Sequence, residues 1–202
     1  MKSAALTLIG LLTLSSGLAA AGDPAAGKSK AGTCAACHGV DGNSANPEWP
    51  SLAAQHAGYL AQQIAIFQAG KMRQNALMAP MVAGLSDEDR EDIAAYFAGL
   101  PRRGLFADGK ADLAAAERLY RGGNAEKGIP ACMACHGPDG VGNALAGFPS
   151  IGSQQSKYIA TQLRAYRDGQ RSSDPRGMMR DIASQLSDEE IEALSQYLAG
   201  LH

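Results

Sequence analysis

Across 202 residues, 18 Lys and Arg nearly balance 20 Asp and Glu, so the chain lacks the basic surface that nucleic-acid binding wants. Aromatic residues make up only 5%, and alanine and glycine dominate, which leaves little bulky apolar mass for a core. A domain of this composition gains most from a ligand that binds only its folded state.

In chain order, Met1 to Ala21 carries one positive charge at Lys2, an apolar run from Ala4 to Leu14, and small residues closing at Ala19-Ala20-Ala21. This reads as a secretory signal peptide cleaved after Ala20 or Ala21. The run is too short for a spanning helix, and an uncleaved anchor is the lesser alternative.

The next element, Ala25 to Ala36, is an uninterrupted alanine-rich helical stretch that leads into Cys34-Ala35-Ala36-Cys37-His38. Two thiols three positions apart share one side of a helical turn. Followed at once by histidine, they form a c-type haem attachment pattern, with Cys34 and Cys37 adding to the haem vinyl groups and His38 reaching the iron. The pattern returns as Cys132-Met133-Ala134-Cys135-His136, and these are the only four cysteines. A zinc half-site would need further ligands at short spacing, and none is present in either half. A thioredoxin-like pair would need a flanking strand, and the neighbouring sequence has no β-branched runs.

An internal repeat surrounds the two motifs. Pro50-Ser51 matches Pro149-Ser150, Tyr59 matches Tyr158, Gly70 matches Gly169, and Leu85-Ser86-Asp87-Glu88 matches Leu186-Ser187-Asp188-Glu189. The offset grows from 98 at the cysteines to 101 at the serines, so the second copy carries three extra loop residues. The expected organisation is a signal peptide over 1–21, one domain over 22–100, a linker from Pro101 to Lys110, and a second domain over 111–202. The fold class is all-α. Tyr59 to Gly70 has Leu60, Ile64 and Phe67 at helical spacing, and Ser86 opens a helix running to Gly99. Ser187 and Glu190 form a capping-box pair ahead of Ile191, Leu194 and Leu198. Gly122-Gly123 and Pro130 break the approach to the second motif, so the two domains differ at their entrances.

A histidine-bound haem iron has a sixth position, and a protein ligand there favours electron transfer over oxygen or peroxide chemistry. Met72, Met78, Met81, Met178 and Met179 are the candidates, with Met133 locked inside its own motif. Met78 and Met179 each lie seven residues before the repeated leucine. Met72 stands opposite Arg171, Met81 opposite Ile182 and Met178 opposite Leu77, so only Met78 and Met179 pair. A lone methionine reads as core filler, whereas a register-matched pair reads as two axial ligands. His56, replaced by Gln155 in the repeat, is expected to be a solvated loop residue, and His202 is the last residue. Neither is a metal ligand.

The chain resembles the dihaem cytochromes c4, in which two class I cytochrome c domains are fused. The resemblance covers Ala21-Gly22-Asp23, both haem motifs, Asp41-Gly42-Asn43, Gly147-Phe148-Pro149 and the closing Tyr197 to His202. It implies two haem c groups, with His38 and Met78 on one iron and His136 and Met179 on the other. It also implies that the Pro50 and Pro149 carbonyls accept from the ligand histidines and fix their tautomer. A periplasmic electron carrier follows, with a cytochrome bc1 complex as donor, a terminal oxidase as acceptor, and peripheral membrane association open. The alternative is a haem-bearing subunit of a periplasmic oxidoreductase or peroxidase, such as a thiosulfate-oxidising partner.

Charge is unevenly spread. Residues 22–100 hold five Lys or Arg against eight Asp or Glu, and residues 101–202 hold twelve of each, so the acidic face of the first domain can orient partners. A ten-residue linker reaches at most about 35 Å, close enough for the domains to pack. At an iron separation of about 20 Å and an effective dielectric of about 20, one charge shifts the other site by about 0.8 kcal/mol. That is about 35 mV for a one-electron couple.

Overall fold

A computed structural model describes residues 22–202, and the leader expected over 1–21 lies outside them. The described residues form ten α-helices and one 3₁₀ turn, and they contain three isolated β-bridges but no strand. No helix among the described residues is long and apolar enough to cross a membrane.

The first half contains α1 (Pro24–Lys30), α2 (Gly32–His38), α3 (Ala57–Ala69), α4 (Met78–Val82) and α5 (Asp87–Ala98). The stretch read as one continuous helix is divided at Ala31, whose ψ of −2° turns the axis between α1 and α2. Composition does not mark that break, because alanine favours helix on both sides of it. Gly70 ends α3 in the left-handed conformation at φ 63°, where a Cβ would be strained. Helix α5 starts in a full capping box. Ser86 Oγ accepts from Asp89 N–H at 3.1 Å, and Asp89 Oδ2 accepts from Ser86 N–H at 2.9 Å.

Helix α1 lies against α5 and is tied there by charge. Lys30 Nζ bridges Asp89 at 2.7 Å and Asp92 at 2.8 Å, while Asp92 also accepts the Asp23 N–H at 2.7 Å. The Lys30 ammonium holds both carboxyls below their usual range, Asp89 at about 2. Gly27 sits at the closest approach, where a Cβ would fall 1.9 Å from the Asp92 carbonyl oxygen. Gly27→Ala is therefore expected to lift α1 off α5 and to cost about 1–3 kcal/mol of stability, as overpacking does. Denaturant unfolding of the haem-loaded protein measures it; an unchanged midpoint would mean that α1 contributes nothing to the first domain.

The second half contains α6 (Leu113–Gly122), α7 (Met133–His136), α8 (Ser156–Arg167), α9 (Met178–Ala183) and α10 (Asp188–Ala199). Helix α6 stops at Gly123, φ 70°, and the loop to Cys132 is pinned by the Asn124–Ile129 bridge, as Gly122-Gly123 and Pro130 lead one to expect. Ser187 and Glu190 form the capping box of α10 at 3.2 and 2.8 Å. Helices α6 and α8 pack on α10, repeating the arrangement of α1 and α3 on α5.

The two cores are unequal. The first comprises Ala31, Leu60, Ala61, Ile93, Ala94 and Phe97, with only three side chains larger than alanine. The second is built on Leu119, Tyr120, Ile129, Ile159, Leu186, Ile191, Leu194, Leu198 and Leu201 around two alanines.

A buried polar interface joins the halves about an approximate twofold. Arg73 and Arg171 form an antiparallel bridge and share acceptors: Gln63 Oε1 at 2.7 and 3.0 Å, and Gln162 Oε1 at 2.8 Å from each. Arg73 also donates to Tyr158 and Arg171 to Tyr59, each at 2.7 Å across the interface. The repeat partner of Arg171 is thus Arg73, not Met72. Counting from this pair, the second copy is three residues longer between Arg171 and Met179, where the 3₁₀ turn Pro175–Gly177 is inserted.

The start of the linker is docked. Arg102 Nε donates to Ala53 O at 2.8 Å and Nη1 to Gly152 O at 2.8 Å, so one guanidinium clips both halves together. Burial lowers its pKa to about 10. Asn43 holds the neighbouring Pro101 carbonyl at 3.0 Å and the Arg103 N–H at 2.8 Å.

Candidate haem sites

The first motif occupies α2, whose helical turn puts Cys34 and Cys37 on one side, Cys34 half-buried and Cys37 exposed. In the second half Cys132 is the N-cap of α7 and Cys135 lies within it, with the same half-buried and exposed pairing. All four thiols are free, so neither pair is a disulfide. Burial raises the Cys34 thiol and pushes Cys132 up to about 11, so both remain protonated at neutral pH.

Each motif histidine is buried and fixed through one nitrogen. His38 Nδ1 donates to Pro50 O at 2.8 Å, and His136 Nδ1 donates to Pro149 O at 2.9 Å. A carbonyl can only accept, so the proton sits on Nδ1 and Nε2 is left as a lone-pair donor. No described residue hydrogen-bonds either Nε2. Burial lowers the pKa of both rings against the opposing pull of the proline carbonyls, which keeps the imidazoles neutral and ready to bind metal.

The peptide turns that carry these bonds are themselves braced. Ser44 Oγ donates to Cys37 O at 3.2 Å in the first half, and Tyr120 Oη donates to Gly137 O in the second. Ala54 and Ser153, four residues after each proline, both adopt the left-handed conformation at φ 53° and 50°.

The methionines separate by exposure. Met72, Met81 and Met178 are 43%, 50% and 38% exposed, whereas Met78 and Met179 are half-buried. Met78 opens α4, its N–H donating to Asn75 Oδ1 at 3.0 Å. Met179 sits in α9, which begins after Gly177 at φ 77° and is anchored by Asp174 accepting from Arg180 N and Nε at 3.1 and 2.9 Å. Different local devices present a thioether at the same register.

In each half the donor set is two free thiols on one turn, a neutral imidazole with an unused Nε2, and a half-buried thioether. This set fits a covalently attached haem with two protein ligands and fits zinc poorly, since zinc prefers thiolate and imidazole to thioether.

The cytochrome c family matches residues 24–101 and again 114–202. The chain is 48% identical over 203 residues to cytochrome c4 of Stutzerimonas stutzeri, covering 95% of this chain and 96% of that one. The chain belongs to the cytochrome c4 family. The structure of reduced recombinant cytochrome c4 from Pseudomonas stutzeri superposes with a TM-score of 0.86 at 46% identity, over 90% of this chain and all of that one. A more distant relative, the thiosulfate dehydrogenase electron acceptor of Stutzerimonas stutzeri strain A1501, is 39% identical over 83% of this chain and 78% of its own length.

Like other members of the cytochrome c4 family, the chain is a dihaem electron carrier with two tandem all-α cytochrome c domains and two covalently bound haem c groups. Residues unremarked in the sequence also matter here. Gln55 and Gln154, Gln63 and Gln162, and Arg73 and Arg171 all lie in the interface. Their signal is the repeat itself: the glutamines recur at the 99-residue offset that relates Tyr59 to Tyr158. His56 differs from expectation. It is half-buried as the N-cap residue of α3 beside the interface, and its Nε2 is sealed from solvent without a hydrogen-bond partner among the described residues.

Proposed function

We propose that the chain carries single electrons in the periplasm, accepting them from a cytochrome bc1 complex and passing them to a terminal oxidase. Cys34 and Cys37 hold one haem with His38 and Met78 as iron ligands, and Cys132 and Cys135 hold the other with His136 and Met179. Domain limits of 22–100 and 111–202, joined through 101–110 after export on the leader at 1–21, complete the reading. The observation that carries it is the doubled proximal geometry, in which each motif histidine is locked by a proline carbonyl at 2.8 or 2.9 Å with Nε2 unused.

The haem supplies a one-electron couple, and the protein sets its potential through the axial ligands, burial and hydrogen bonds. Exposed apolar residues beside the ligands, Val40 and Leu77 in the first half and Val141 and Met178 in the second, offer small contact patches to redox partners. The thiosulfate dehydrogenase electron acceptor relative favours a second reading, in which the electrons come from a thiosulfate-oxidising enzyme.

A redox titration followed in the visible spectrum tests the carrier role. The expected result is two overlapping one-electron steps, with the weak methionine-to-iron band near the red end in both oxidised haems. A high-spin signal from either half would point instead to an enzyme site. Reduction by bc1 complex, compared with reduction by thiosulfate and its dehydrogenase, separates the two donors.

A further inference from the structure

Each histidine's carbonyl partner belongs to a peptide unit whose other end is gripped by the opposite domain. Pro50 O accepts from His38, and the N–H of the same peptide unit, on Ser51, donates to Gln154 Oε1 at 2.8 Å. In mirror fashion Pro149 O accepts from His136, and the Ser150 N–H donates to Gln55 Oε1 at 2.9 Å. The two amide groups close each grip, Gln154 Nε2 on Ser51 O at 2.9 Å and Gln55 Nε2 on Ser150 O at 2.8 Å. Ser51, Gln55, Ser150 and Gln154 are all buried.

We propose that Gln154 and Gln55 are crossed positioning residues, each tuning the reduction potential of the haem in the other domain through a shared peptide group. The inference rests on the reading of His38 and His136 as iron ligands. A peptide is conjugated, so an acceptor on its N–H pushes electron density onto its carbonyl oxygen. Linked hydrogen bonds strengthen one another by roughly 10–30% each. A stronger carbonyl acceptor draws more on the Nδ1–H and gives the imidazole more anionic character, which makes it a better donor to ferric iron. Gln154 thereby lowers the potential of the first haem, and Gln55 that of the second.

The backbone favours this arrangement at a cost. Ala54 and Ser153, the residues immediately before the two glutamines, hold a left-handed conformation that residues with a Cβ adopt only against strain. That turn comes at the same place in both halves, and in each the next side chain crosses the interface.

The test compares Gln154→Leu, Gln55→Leu and Gln154→Glu in the haem-loaded full chain, by redox titration and by proton NMR of the reduced form. Gln154→Leu is expected to raise the reduced-to-oxidised ratio of the first haem about threefold at fixed ambient potential, about 28 mV at 59 mV per decade. The second haem moves less, and Gln55→Leu gives the reverse pattern. The His38 Nδ1–H resonance moves upfield in Gln154→Leu while that of His136 stays. Gln154→Glu keeps an oxygen on the Ser51 N–H and returns the first-haem ratio to the wild-type value or below it.

Equal shifts in both haems, shifts confined to the glutamine's own domain, or no shift would overturn the relay. Should the leucine variants not fold, the glutamate variant carries the test, and a first-haem ratio above wild type would count against the proposal. Ligation is judged separately, from ring-current-shifted His38 and His136 protons in the wild type. If those shifts are present without the crossed pattern, the relay alone is wrong; if they are missing, the ligand assignment is.

Discussion

Serine at both Cys34 and Cys37 is expected to give a mature protein one haem short in mass, with its first half open to protease and its second half still folded. Serine at Cys132 and Cys135 removes the other haem but leaves a more resistant remnant. The difference follows from the two cores. The first half buries six bulky apolar side chains, Leu60, Ile93 and Phe97 in its cluster with Ile66, Phe67 and Val82 beside it, and at about 1.5–3 kcal/mol each they contribute about 9–18 kcal/mol. The second buries ten, the nine of its cluster with Tyr166, or about 15–30 kcal/mol on the same scale. Conformational entropy costs each domain on the order of 1–2 kcal/mol per residue for the backbone alone, so the half with the smaller apolar contribution depends more on its haem. Mass spectrometry of the exported protein followed by limited proteolysis measures both effects. A wild-type mass lacking two haems would defeat the attachment scheme, and equal protease sensitivity of the two variants would defeat the core argument.

What was legible in the sequence was short-range. The Cys-x-x-Cys-His pattern, the Ser187 capping box, the Gly70 helix stop and the break after Gly122 each depend on residues within a few positions, and the structure contains the last three as read. The repeat carried the rest, since two copies of one pattern imply two copies of one domain. What escaped was tertiary. Helix α1 turns into α2 at an alanine where Gly27 meets α5, a constraint set by Asp92, 65 positions further along the chain, rather than by local propensity. The repeat sets Met72 opposite Arg171, yet the interface pairs Arg73 with Arg171, a pairing across the domains that the linear repeat does not show. His56 reads as solvated from its place in a loop, but its neighbour Gln55 is buried in the interface and draws His56 in with it.

The interface is polar, and although His56 Nε2 and Arg102 Nη2 are buried without a partner among the described residues, the network at its centre is fully paired, which bears on how the domains act together. Two guanidiniums are buried with no carboxylate among their hydrogen-bond partners, and they are held by the oxygens of Gln63 and Gln162 and the hydroxyls of Tyr59 and Tyr158. Breaking one member of such a network strands buried polar groups, which costs about 1–3 kcal/mol for each group left unpaired. The domains are thus expected to keep one mutual orientation, the condition under which a charge on one haem acts at a fixed distance on the other.

The second large effect is expected at the sixth ligand. Met78→Ala should open the first iron to water and carbon monoxide while leaving the second low-spin, and Met179→Ala should do the reverse. Carbon monoxide uptake by the reduced protein would rise from none in the wild type to one per chain in each variant and two in the double variant. Loss of the thioether also lowers the potential of the affected haem, because methionine favours ferrous iron, by on the order of 100 mV or more within the roughly 0.8 V range that axial ligands span. The structural ground is that Met78 and Met179 are the half-buried members of their groups and share a register, while Met72, Met81 and Met178 face solvent. Neighbouring side chains on a helix point about 100° apart, so Met178 cannot replace Met179 without turning α9, which Asp174 and Arg180 anchor. In the first half Asn75 holds the N–H groups of both Leu77 and Met78, at 2.9 and 3.0 Å, and fixes the start of α4 in the same way. A Met78→Ala protein that stays low-spin and refuses carbon monoxide would transfer the ligand role to Met72 or Met81, and the same outcome for Met179→Ala would transfer it to Met178.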